Sequence, residues 1–403
     1  MQKKVTREIK KIGIERLKKT RVTLLANLWS KEVLAIKSNT YWEELTCVGF
    51  NPQLAQLEAV VSIKQDSGYS GGLCSDGSTE YIRFFVDWGD GTGFQDVGLT
   101  SFKAHNISNL PPGPQHPLQY MVYLTLDDDT YQKCCNTPVM PKVRAVLSWN
   151  QIPSLDPNAM PSFGNRIDVD IQLQPADVTV AYLIKEDVIK KNLSILDNIN
   201  IEAIIPKPKP DPVPWSKLIN SYRKAEVPDH RLTYEAIYPM VKEGKSLLLS
   251  AAQKDLPLSK KLKLDTNKIA SMLIQEQANT TFEEVVCVGL NTASDILGAV
   301  IHVKKSCGYS GNLCQTGSKE YVAFWADWDN NGTYDSYLGT TSVDVYDIAN
   351  IPPGGLYYSV RLPANFSQHL KNCINPNIVR IRAVLSWAVP SSTVDPNDLN
   401  YWG

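Results

Sequence analysis

Apolar and polar residues alternate with a period of two in short runs along most of the chain. In Leu57-Glu58-Ala59-Val60-Val61-Ser62-Ile63-Lys64, the residues Leu57, Ala59, Val61 and Ile63 share one face, and Leu297, Ala299, Ile301 and Val303 repeat the pattern later. The same alternation predicts strands over 46–50, 80–88, 97–104, 118–126, 143–149 and 166–173. Clusters of Gly, Pro, Asn and Asp separate these runs, which is the punctuation of a β-sandwich and not of βαβ units.

The chain is internally duplicated. Glu43-Glu44-Leu45-Thr46-Cys47-Val48-Gly49 returns as Glu283-Glu284-Val285-Val286-Cys287-Val288-Gly289, and Gly68-Tyr69-Ser70-Gly71 as Gly308-Tyr309-Ser310-Gly311. Glu80-Tyr81 matches Glu320-Tyr321, and Asp87-Trp88 matches Asp327-Trp328. Arg144-Ala145-Val146-Leu147-Ser148-Trp149 matches Arg382-Ala383-Val384-Leu385-Ser386-Trp387, and Asp156-Pro157-Asn158 matches Asp395-Pro396-Asn397. Each copy is long enough for its own core, so this is a duplicated domain and not a solenoid. The divisions are a basic N-terminal segment over 1–38, a first repeat over 39–175, a connector over 176–278 and a second repeat over 279–403. In the connector, Pro206, Pro208, Pro210, Pro212 and Pro214 predict a stiff extended spacer, followed by helices over 215–226, 232–242 and 267–277. Whether these helices lie on the second repeat or form a unit of their own stays open. The expected fold is mainly β with helical additions: two tandem immunoglobulin-like β-sandwiches joined by the Pro-rich linker and short helices.

The second copy is the shorter one. Ser162-Phe163-Gly164 runs on into the alternating strand at 166–173, whereas Tyr401-Trp402-Gly403 closes the sequence where the matching strand would begin. A sandwich without its last strand has an open edge that invites strand addition. The filler is expected to be the chain's own segment 198–205, a partner's strand, or the continuation of a longer protein.

Composition narrows the function. The 403 residues are 43% hydrophobic and carry 41 Lys and Arg against 42 Asp and Glu, which is globular and argues against a whole-surface nucleic-acid binder. No apolar run is long enough to span a membrane as a helix. Residues 1–21 hold nine Lys or Arg and only two Glu, so a cationic head sits on an acidic body and offers one surface for a partner. The apolar run at 22–29 is a poor export signal, which places the chain in the cytoplasm unless an unrecognised signal exports it.

Candidate chemistry is sparse. Gly68-Tyr69-Ser70-Gly71-Gly72 fits the G-x-S-x-G pattern of a serine nucleophile, but a strand follows it, the second copy breaks it, and only His105 and His116 lie downstream in that repeat. Asp327, Asp329, Asn331, Thr333 and Asp335 are spaced as the oxygen ligands of a calcium loop around Gly332, although Leu338 stands where a closing acid would be. Of eight cysteines, six are matched by the duplication: Cys47 with Cys287, Cys74 with Cys314, and Cys135 with Cys373. Buried free thiols are the expectation, with Cys74 to Cys135 and Cys314 to Cys373 bonds within each repeat as the rival. The matched tryptophans Trp88, Trp149, Trp328 and Trp387 are expected in the cores.

The Asp87-Trp88-Gly89-Asp90-Gly91-Thr92 stretch and the strand count resemble polycystic-kidney-disease-type and immunoglobulin-like sandwiches. The R-A-V-L-S-W motif followed by P-N and W/F-G is similar to a duplicated family of uncharacterised bacterial proteins, a resemblance that implies no activity. The expected function is a non-catalytic protein-interaction or scaffold role, through the basic N-terminal helix or the open edge of the second repeat. The alternatives are a calcium-dependent adhesin or carbohydrate binder and, last, a serine hydrolase acting through Ser70.

Overall fold

The computed structural model describes residues 38–108, 117–176, 213–242, 266–275 and 278–403. They form a mainly β protein with a few helices. The first repeat contributes β1 (Glu43–Asn51), β2 (Gln56–Ile63), β3 (Ser78–Asp87), β4 (Phe94–Ala104), β5 (Leu118–Thr125), β6 (Lys142–Trp149) and β7 (Arg166–Asp170). Helices α1 (Trp215–Lys224), α2 (Asp229–Leu232), α3 (Tyr234–Lys242) and α4 (Thr266–Gln275) come next. The second repeat contributes β8 (Glu283–Asn291), β9 (Ile296–Val303), β10 (Ser318–Asp327), β11 (Ser336–Val345), β12 (Leu356–Pro363) and β13 (Arg380–Trp387). The basic head at 1–37, the spacer prolines 206 to 212, the segment 198–205 and His116 lie outside the described residues.

The outer sheet of the first repeat has the order β4-β3-β6-β7, and that of the second β11-β10-β13. The inner strands of the two repeats do not form separate sheets. They close into one barrel in the order β1-β12-β9-β8-β5-β2. Two parallel seams close it, at Phe50 with Tyr358 and at Tyr120 with Leu290, and the duplication relates these seams to each other. Equivalent bulges interrupt β1 between Leu45 and Cys47 and β8 between Val285 and Cys287.

Among the inner strands, β2 and β9 are buried on both faces. Leu45, Val48, Phe50, Leu57, Ala59, Val61 and Ile63 face the outer sheet of their own repeat and share its core with Ile82, Phe84, Val143 and Leu147. Each such side chain contributes about 1.5–3 kcal/mol through burial. Cys47, Val60, Met121, Ile296 and Val300 face the barrel interior and join the repeats. The Cys-Val-Gly motif therefore has three separate tasks. Val48 fills the core, Cys47 faces the other repeat, and Gly49 leaves room at the seam, where an added Cβ would lie 2.7 Å from the Tyr358 carbonyl oxygen.

The cysteines correct both expectations made for them. Six are paired, and every bond crosses between repeats: Cys47 with Cys287, Cys74 with Cys373 and Cys135 with Cys314, at Cα separations of 6.4, 5.0 and 4.9 Å. Association of the repeats brings the Cys74 loop of each copy against the Cys135-type loop of the other, so partners that sequence order assigns to one repeat are exchanged. Cys134 is free and exposed, and Cys307 is free and half-buried.

The helices pack on the second repeat. Leu218, Ile219, Tyr222, Leu232, Tyr234, Ile237, Ile269 and Leu273 enter the same core as Leu297, Phe324, Leu385 and Trp387. Arg231 of α2 anchors them. Its guanidinium is fully buried, bonds both oxygens of Glu283 at 2.7 Å and donates from Nε to the Gly308 carbonyl at 3.1 Å. The Arg231 Cζ stands 3.5 Å from the Trp387 ring centroid. Such a bidentate pair holds geometry well, and an aromatic face against the guanidinium adds attraction where water is excluded.

Candidate functional site

Among the described residues, the two repeats differ beside β6 and its counterpart β13. In the first repeat, β7 pairs antiparallel with β6, Asp168 opposite Arg144 and Asp170 opposite Lys142. Alternation then sends Val169, and beyond the strand Ile171 and Leu173, into the core, where each is at most 5% exposed. Four polar attachments hold the segment. Arg144 donates to both Asp168 oxygens from Nε at 2.8 Å and Nη2 at 2.7 Å, and Lys142 lies 3.1 Å from Asp170. The Asn165 amide satisfies both the N–H and the carbonyl of Leu45 at the β1 bulge, at 2.7 and 2.9 Å. Gln172 Oε1 accepts from the Tyr358 hydroxyl at 3.3 Å.

In the second repeat, among the described residues, β13 pairs only with β10. Beside it runs a groove of about 650 Å³ lined by Val286, Val288 and Leu290 of β8, Tyr120 of β5, and Arg380 and Ile381 of β13. Its walls are the matched residues of a core left partly open. Val48 and Phe50 are fully buried whereas Val288 and Leu290 are half-buried, and Val143 and Ala145 are fully buried whereas Ile381 and Ala383 are half-buried. Burial lifts the Tyr120 phenol to about 12.

The Asp-Pro-Asn motif acquires a role here. Arg144 Nη1 donates to the Pro157 carbonyl and Asn158 Oδ1, and its Cζ lies 4.1 Å from the Phe94 ring. Arg382 repeats the set with Pro396, Asn397 and the Tyr334 ring at 4.1 Å. What it lacks, among the described residues, is a carboxylate like that of Asp168. The site is therefore a groove of mixed apolar and polar lining beside β13, with Arg380 in its wall and Arg382 two residues along the same strand.

The other predicted site residues take part in local turns. Asp327 is fully buried, and its oxygens accept from the Asn331 N–H at 3.0 Å and the Gly332 N–H at 2.8 Å. Asp329 accepts from the Asn331 side chain at 2.8 Å, Asn331 Oδ1 accepts from the Thr333 N–H at 2.7 Å, and Asp335 accepts from Ser336 at 3.1 Å. The loop thus folds as a chain of side-chain-capped turns, and no group of three or more His, Cys, Asp or Glu among the described residues is gathered for a metal. Ser70 sits in a turn with φ of 60°, while His105 Nε2 contacts the Ser75 carbonyl at 3.1 Å. Trp88 stacks on Tyr131 at 3.7 Å and Trp328 on His369 at 3.6 Å, so both rings are half-covered by aromatic neighbours.

No family model and no curated protein matches the chain. Among solved structures, a hypothetical protein from Pyrococcus horikoshii is similar at 12% identity and a TM-score of 0.19, covering 36% of this chain and 97% of that one.

Proposed function

We propose that the chain is a non-catalytic binding protein of two immunoglobulin-like β-sandwich repeats that takes up a partner's β-strand beside β13. The observation that carries this reading is the slot itself: β7 and its anchors occupy the matched position in the first repeat, and the walls of the second copy are apolar and half-exposed. An open edge supplies main-chain hydrogen bonds, and alternate pockets supply selectivity. Three inter-repeat disulfides favour an oxidising compartment, which supports export over the cytoplasm.

The preferred strand is acidic and apolar in alternation. By the register of β6 and β7, acids two residues apart face Arg382 and Arg380 as Asp168 and Asp170 face Arg144 and Lys142. A peptide copying residues 165–175 serves as the probe. It is expected to bind the full chain, and Arg382→Glu is expected to weaken it by roughly tenfold or more, the scale of a lost charged hydrogen bond. Absence of binding contradicts strand uptake. Binding that ignores Arg382→Glu leaves strand uptake standing and removes the charge preference.

A further inference from the structure

The cage that holds Arg231 exists twice. In the second repeat the guanidinium is bonded to Glu283 and Gly308 and enclosed by Trp387, Phe282 and Trp402, whose centroids lie 3.5, 4.4 and 4.8 Å from its Cζ. Glu320, fully buried, lies close by and feels both Glu283 and Arg231. The first repeat keeps each wall: Glu43 for Glu283, Glu80 for Glu320, Gly68 for Gly308, Trp149 for Trp387, Trp42 for Phe282 and Phe163 for Trp402. The rings still meet edge to face, Phe163 lying 5.7 Å from both Trp42 and Trp149.

Among the described residues, no arginine is bonded to Glu43 as Arg231 is to Glu283. Glu43 is 1% exposed and its Oε1 has no hydrogen-bond partner among the described residues, whereas both oxygens of Glu283 bond Arg231; Glu80, like Glu320, is fully buried with an unpartnered oxygen in either cage. The Trp149 Nε1 is likewise unpartnered, whereas Trp387 Nε1 donates to Ser318 at 2.8 Å. Trp42, Trp149 and Phe163 are half-buried, against at most 6% exposure for Phe282, Trp387 and Trp402. Two buried carboxyls under an open aromatic rim are costly without a cation, and a guanidinium answers both features with bidentate hydrogen bonds and flat stacking faces. Burial raises the Glu43 and Glu80 carboxyls, to about 7 and about 9.

We propose that this cage in the first repeat is a binding site for the arginine of a polypeptide, seated on Glu43 between Trp149, Trp42 and Phe163 as Arg231 is seated on Glu283. The arginine is presented by a tight helical turn following a proline, the form in which Pro228 and α2 present Arg231. A labelled peptide copying residues 225–238, added to the full chain and followed by fluorescence anisotropy, tests this. Binding is expected to weaken by about ten- to a hundredfold when citrulline replaces the arginine, because the neutral isostere loses the charge-assisted pair. Glu43→Gln is expected to weaken the arginine peptide to a similar degree, which locates the site in the first repeat. The citrulline arm needs no change to the protein and keeps the proposal testable if Glu43→Gln disturbs folding. Equal binding of the arginine and citrulline peptides overturns the proposal, as does binding indifferent to Glu43→Gln in a folded variant. Failure of the peptide to bind overturns it too.

Discussion

Cys47 is disulfide-bonded to Cys287, its own counterpart in the second repeat. A residue that bonds its own copy lies on the axis relating the copies, and the Cys74–Cys373 and Cys135–Cys314 bonds are then images of each other across that axis. The repeats are thus joined covalently at three places apart from the connecting chain. A protease site inserted within residues 206–214 is expected to give one band on a non-reducing gel after cleavage and two after reduction. Two fragments without reductant contradict the inter-repeat pairing.

Among the described residues, Arg231 is the one cation hydrogen-bonded to Glu283, and both side chains are fully buried. Arg231→Met leaves an uncompensated buried carboxylate, and the expected loss is about 3–5 kcal/mol of stability by urea unfolding. Adding Glu283→Leu to that variant is expected to recover much of the loss, because the unpaired charge goes with it. An Arg231→Met variant as stable as the parent contradicts the anchoring role.

Burial holds Glu43, Glu58 and Glu80 at about 7, 8 and 9, above the 4.5 of an ordinary glutamate. The folded chain therefore binds more protons than the unfolded one between about pH 4.5 and 9, so stability falls as pH rises through that window. Glu58 is the cleanest probe, since it lies inside the barrel with neither oxygen hydrogen-bonded and only Arg361 acting to lower it. Glu58→Gln is expected to raise the Tm at pH 8 and to change it little at pH 4.5. A Tm difference that is the same at both pH values contradicts this.

Gly403 lies with its backbone against the Leu385 carbonyl as Gly164 lies against Leu147, which sets it at the head of the open slot. A copy of residues 165–175 fused after Gly403 is expected to run beside β13 and bury three apolar side chains, as Val169, Ile171 and Leu173 do in the first repeat. At about 1.5–3 kcal/mol per buried side chain before ordering costs, the gain should register as a higher Tm. An unchanged Tm counts against the slot as a strand site.

The strands and the duplication were legible because a half-buried strand writes its inner face into the sequence with period two. The barrel was not, because Val60 and Glu58 lie on the face that alternation assigns to solvent, and only the second repeat buries them. A partial signal was present in the cysteines, since the three matched cysteines of a repeat cannot all pair with one another inside it. Arg231 gave no periodic signal, as one arginine in a four-residue helix, but Glu80 shares the core-facing phase of Ile82 and Phe84 and so announces a buried acid. The Arg382 to Asn397 contact, by contrast, becomes visible only when the fold brings the Asp-Pro-Asn turn beside β13.

Backbone hydrogen exchange of the full chain, with and without the 165–175 peptide, tests strand uptake most directly. Residues 380–384 correspond to the stretch of β6 that pairs with β7, so their outward amides are expected to become protected on peptide addition, together with the facing segment 285–290 of β8. Protection that appears elsewhere, or exchange at 380–384 that the bound peptide leaves unchanged, contradicts the reading of the second repeat as a strand receptor.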